Sequence, residues 1–206
     1  MSTLIDKLVS LVATLDTNDI PYALGGALAL ANYLPKDSVR TTYDIDLNIF
    51  SESQEASKVL SSLALPEMHG GDAVEVAKRD GQVRLLWDDT PVDLFFADIE
   101  FCKQAEYNAL SMTLHDHVIP ILSVTDLVTC KVIFNRDKDW LDVASVREHP
   151  DLDWDLVEHW VCVICGSDST QWHSLVRHVR GFTKFEREQV TAEKNAYSLI
   201  YPKSAQ

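Results

Sequence analysis

Leu4, Leu8, Leu11, Val12 and Leu15 recur at helical spacing, and Asn18, Asp19 and Pro21 end the pattern, which predicts a helix over residues 3 to 19. The short apolar "YALGG" then reads as a strand running into a glycine turn, and "ALALANYL" is rich in helix formers. In "RTTYDIDLNIF", residues 40 to 50, the apolar Ile45, Leu47 and Ile49 alternate with Asp44 and Asp46, as in a strand with two carboxylates on one face. A helix is predicted over "EASKVLSSLA". The alternating segments "AVEVAK", "QVRLLWDD", "TPVDLFFAD" and "HVIPILS" are predicted strands. From Val124 the pattern turns helical, in "SVTDLVTCKVIFNR", "DKDWLDVASVRE", "DWDLVEHWVCVIC" and "QWHSLVRHVRGFTKFEREQV". This order predicts an α+β fold, a mixed sheet flanked by helices over residues 1–122 and a helical C-terminal part over residues 123–206.

Composition narrows the setting. At 206 residues with 46% hydrophobic content the chain can bury a full core. There is no run of eighteen apolar residues, and the first helix carries charges unlike a signal peptide, so a cytoplasmic protein with no membrane association is expected. A net charge of -14 opposes indiscriminate binding to nucleic-acid backbones, leaving "RHVRGFTKFERE" as the segment that could form a basic patch. Four cysteines are too few for a disulfide framework. Cys162 and Cys165, although followed by His173 and His178, have the wrong spacing for a zinc finger and read as small core residues on one helix face. His115 and His117 read as a wet strand edge, and Trp154, Trp160 and Trp172 as core or interface.

The aspartates change the picture. Asp44 and Asp46 repel each other unless they are solvated, bind a cation or are offset by a basic side chain. Asp93 interrupts a second apolar strand, between Val92 and Leu94. Three carboxylates on neighbouring strands make an oxygen-rich site suited to Mg²⁺, which takes carboxylate and water ligands and shares substrate phosphates. The glycine pair Gly25-Gly26, between a strand and a helix, would let backbone N–H groups approach phosphate oxygens.

The ordered set "YALGGALALANYL", "RTTYDIDLNIF", "PVDLFF" and "LSVTDLVTCKVIFNRDKDWLDV" resembles the DNA polymerase β-like nucleotidyltransferase superfamily, and within it the AbiEii/AbiGii-toxin-like branch. The last stretch carries that branch's pattern in Asp126, Lys131, Arg136, Lys138, Asp139 and Asp142, and the chain has Gly25-Gly26 where many superfamily enzymes have Gly-Ser. The resemblance implies a nucleotidyltransferase-type sheet and transfer of NMP from an NTP to tRNA, a protein or a small molecule. It further implies two Mg²⁺ ions, held by Asp44 and Asp46 with Asp93 on the catalytic one, and an antitoxin partner. Lys131 is implied as a triphosphate cation and Arg40 as a second one, or as a brace for the aspartates. Lys131 could instead pair with Asp126 or Asp139, while Asp139 and Asp142 also fit as helix-start charges. The alternative function is a catalytically silent nucleotide-binding or regulatory module of the same fold.

Overall fold

The computed structural model describes residues 2–114 and 116–180. The chain divides into two compact units, residues 1–123 and 124–206.

The first unit opens with α1 (Leu4–Thr17), which starts at a capping box between Thr3 and Asp6 and buries Leu8, Leu11, Val12 and Leu15. β1 (Tyr22–Leu24) and the five-residue α2 (Gly26–Leu30) meet at the glycine pair. β2 (Ile45–Ile49), α3 (Ala56–Leu63) and α4 (Ala73–Asp80) follow. The hairpin strands β3 (Gln82–Trp87) and β4 (Thr90–Phe96), then α5 (Glu100–Asn108) and the hairpin β5 (Leu110–Leu114) with β6 (His117–Ile121) complete the unit. Among the described residues six strands form one mixed sheet in the order β3-β4-β2-β1-β6-β5. β2 runs parallel to β4, with Asp46 opposite Asp93, and β4 runs antiparallel to β3, with Arg84 opposite Asp93. The α+β architecture therefore matches the hydrophobic pattern.

Ile45, Leu47 and Ile49 of β2 and Val92 and Leu94 of β4 are wholly buried, so one face of these strands is core and their register is fixed by it. Lys7 pins the β3–β4 turn to α1. Its ammonium donates to the Trp87 carbonyl at 3.0 Å, Thr90 Oγ1 at 2.9 Å and Asp89 Oδ1 at 3.2 Å.

Two segments differ from the sequence expectation. "AVEVAK" forms α4 rather than a strand: Asp72 caps it by accepting from the Val74 and Glu75 amides, Lys78 and Arg79 sit in its last turn, and Gly81 closes it at φ +67°. Four alternating residues are too few to outweigh these end signals. The pattern also passes over α5, whose buried stripe is only Phe101 and Ala105, and over the largely exposed edge strand β5. His117 is exposed at the start of β6, whereas His115 lies outside the described residues.

The second unit consists of α6 (Val124–Phe134), α7 (Asp137–Val146), α8 (Trp154–Cys165) and α9 (Thr170–Arg180) as far as it is described. The "RHVRGFTKFERE" patch and the end of the last predicted helix extend past residue 180, outside the described residues. α6 is buried around most of its circumference, the mark of a central helix. Cys162 and Cys165 are half-buried on α8, and Trp140, Trp160 and Trp172 are buried. No described helix is long and apolar enough to cross a membrane.

His159 on α8 generates a pH prediction. Burial holds its imidazole below the ordinary value of 6.5. The folded chain then binds this proton less readily than the unfolded chain, so the stability is complete above the unfolded value and is lost as pH falls below it. Denaturant unfolding between about pH 7.5 and about pH 5.5 should show wild type losing more stability on acidification than His159→Gln.

Candidate metal centre

The parallel pairing of β2 with β4 places Asp46 and Asp93 side by side on the sheet face opposite the core. Asp44 stands immediately before β2, and the Thr42 hydroxyl donates to its Oδ1. One oxygen each from Asp44, Asp46 and Asp93 lie within 4.8 Å of one another. Among the described residues this is the group of three or more His, Cys, Asp or Glu side chains that converges in this way, and Cys162, Cys165 and the histidines do not join such a group. Asp93 is buried, Asp44 and Asp46 half-buried. Three hard oxygen donors at this separation suit a divalent cation of the Mg²⁺ class.

The glycine pair serves this carboxylate set directly. Gly26 adopts φ +57°, and a Cβ there would stand 1.8 Å from Asp46 Oδ2, so the absence of a side chain gives the carboxylate its space. A Cβ at Gly25 would lie 2.6 Å from Asn48 Nδ2. The Gly25 amide donates to the Asp46 carbonyl at 2.9 Å, which extends the β1–β2 ladder and commits that N–H to the sheet. Of the pair, Gly26 is the residue that opens α2, where first-turn amides lack intrahelical acceptors.

Arg84 is the residue that the hydrophobic pattern does not reveal. Its Nε donates to Asp93 Oδ1 at 2.6 Å and its Nη2 to Asp93 Oδ2, a bidentate fork across the β3–β4 pair. Hydrogen bonding to Asp93 raises the guanidinium above the ordinary arginine value, burial opposes that shift, and the charges of Asp93, Asp44 and Asp46 add to it. Arg84 thus feels all three carboxylates. "QVRLLWDD" shows an arginine at an alternating position, and only strand register shows which carboxylate it faces. Arg40 is exposed in the segment leading to Asp44.

Lys131 belongs to the second unit, on α6. Its side chain is 6% exposed and its ammonium donates to Asp142 Oδ2 at 2.7 Å, with Asp139 Oδ1 at 3.8 Å. Asp139 in turn accepts from Arg136 Nε at 2.6 Å and from the Arg136 amide at 3.2 Å. Asp126 is fully buried on the same helix. Lys131 on α6 thus pairs with Asp142 and Asp139 on α7, and Arg136 pairs with Asp139 at the start of α7.

No known protein family matches this sequence, and no curated protein does. Solved structures align with nearly the whole of this chain at TM-scores below 0.5. The solution structure of the antibiotic-resistance factor ANT(2'')-Ia is 15% identical at a TM-score of 0.47, over 94% of this chain and 92% of that one. A crystal structure of ANT(2'')-Ia in complex with adenylyl-2''-tobramycin is 13% identical at a TM-score of 0.46, over 97% and 99%. An antigenic nucleotidyltransferase-like protein from Paracoccidioides brasiliensis is 15% identical at a TM-score of 0.47, over 95% of each chain.

Two predictions follow from these contacts. Gly26→Ala should drive the Asp46 carboxylate out of the cluster, costing at least about 1 kcal/mol in denaturant unfolding and weakening Mn²⁺ binding in a titration. A Gly26→Ala variant with wild-type Mn²⁺ affinity would show that the position of Asp46 does not matter to metal binding. Lys131→Met keeps the apolar stem but removes the buried ammonium that donates to Asp142 at 2.7 Å, so it should lower unfolding free energy by about 3 kcal/mol, read from the denaturation midpoint.

Proposed function

We propose that the chain is a Mg²⁺-dependent nucleotidyltransferase, which moves NMP from an NTP to an acceptor hydroxyl. The observation that carries this reading is the convergence of Asp44, Asp46 and Asp93 within 4.8 Å of one another. Asp44 and Asp46 would hold two ions and Asp93 one of them. Bound divalent ions supply neutralisation of the triphosphate and polarisation of its α-phosphorus. Asp93, whose oxygens retain lone pairs beyond those given to Arg84, would accept the proton of the acceptor hydroxyl. The acceptor oxygen bonds to the α-phosphorus as the bond to the bridging oxygen of pyrophosphate breaks. The Gly26 amide would serve a phosphate oxygen. Arg40, exposed on the approach to Asp44, is a candidate phosphate cation.

The toxin-like branch, with an antitoxin as partner, is the finer form of this reading. It is supported by the resemblance in Arg40, Thr42, Asp44, Asp46, Asp126 and Lys131. The resemblance also assigns Lys131 to the triphosphate, whereas its buried pairs with Asp142 and Asp139 support a fold-holding role. Unfolding measurements beside turnover of Lys131→Met separate these roles. The net charge of -14 opposes a polyanionic acceptor and favours a protein or small-molecule hydroxyl over tRNA.

Pyrophosphate release from each NTP with Mg²⁺ and a cell lysate as acceptor source tests the reading. Asp44→Asn, Asp46→Asn and Asp93→Asn should each reduce release on the order of a thousandfold while the chain stays folded. Wild type that binds Mg²⁺ and NTP without releasing pyrophosphate would instead be a nucleotide-binding module.

A further inference from the structure

Asp93 is asked to do two things at once. Both of its oxygens accept from Arg84, while one of them also lies within reach of an Asp44 and an Asp46 oxygen. The strand register makes this a row: Asp46 on β2, Asp93 on β4 and Arg84 on the edge strand β3, directly opposite one another. A divalent cation entering between the carboxylates would meet the guanidinium's positive charge at the far side of Asp93. Charge cannot be removed from Arg84 by proton loss, because guanidinium stays protonated at any accessible pH. The conflict is resolved by movement. The Arg84 side chain is 41% exposed against 12% for Asp93, so it has solvent to swing into while Asp93 stays fixed by its strand.

Resting on the nucleotidyl-transfer reading above, we propose that Arg84 is an exchange residue. It holds Asp93 as counter-ion before a metal arrives, yields Asp93 to the metal, and then receives a phosphate oxygen of the metal-bound nucleotide. A guanidinium fits this exchange because the planar fork that matches a carboxylate also matches two phosphate oxygens. The charge that opposes metal entry is thereby used again to hold the triphosphate. A brace that merely stiffens the hairpin would affect stability alone.

The test uses the full chain with Mn²⁺ as a spectroscopic substitute for Mg²⁺ and the α,β-methylene analogues of ATP, CTP, GTP and UTP. Arg84→Met, which keeps the apolar stem, should bind Mn²⁺ about tenfold more tightly than wild type and, with Mn²⁺ saturating, bind the preferred analogue about tenfold more weakly. Arg84→Lys, which keeps the charge but loses the fork, should shift each affinity in the same sense by a smaller factor and secures the test if the Met variant does not fold. Opposite movement of the two affinities is the signature of exchange. Unchanged Mn²⁺ affinity in a folded variant, or movement of both affinities in one direction, would overturn the proposal while leaving the metal centre intact. Wild type that binds no Mn²⁺ would overturn the reading of the carboxylate triad itself, and this inference with it.

Discussion

Three carboxylates cannot share one patch of a sheet unless something offsets their repulsion, and this constraint organises the first unit. The parallel register of β2 and β4 brings two of them abreast, and the buried Ile45, Leu47, Val92 and Leu94 on the reverse side prevent either strand from slipping to relieve the crowding. Core packing therefore fixes the acidic face. Arg84 supplies the compensating charge from the next strand, and Gly26 supplies the room by having no side chain to place against Asp46. Each surrounding feature answers a demand set by the same crowded face.

The second unit solves a similar problem with a different outcome. There Lys131, Asp142 and Asp139 lie inside and join α6 to α7, and the half-exposed Arg136 extends the chain of contacts from the start of α7. Such a network specifies how α6 and α7 pair, since a register shift would leave an ion in an apolar setting. In the first unit the carboxylates stay partly accessible, so a cation can approach them; in the second the Lys131 pairs with Asp142 and Asp139 are closed to solvent.

What could be read from the amino acids follows this division. Asp44, Asp46 and Asp93 are legible because charged residues that interrupt apolar strands demand a reason, and the strands themselves follow from alternation. Arg84 is not legible, because an arginine on the outward face of an edge strand looks like any solvated charge until the register pairs it. Lys131 is ambiguous in the same way, since "LVTCKVIF" is identical whether the ammonium meets a phosphate or a carboxylate. The α4 segment is misread because a short alternation satisfies two periods at once, and the decisive signals, Asp72 and Gly81, lie at its ends.

The hairpin that carries Asp93 has a consequence for how the acidic face assembles. Arg84 and Asp93 are nine positions apart, so little chain entropy is lost in bringing them together. Asp46 reaches the same carboxylate only after a much longer loop closes across α3 and α4. Because this local pair costs the least chain entropy to close, a hairpin that forms before β4 docks beside β2 would bring the third acid to the sheet already paired, and the repulsion opposing that docking would be reduced.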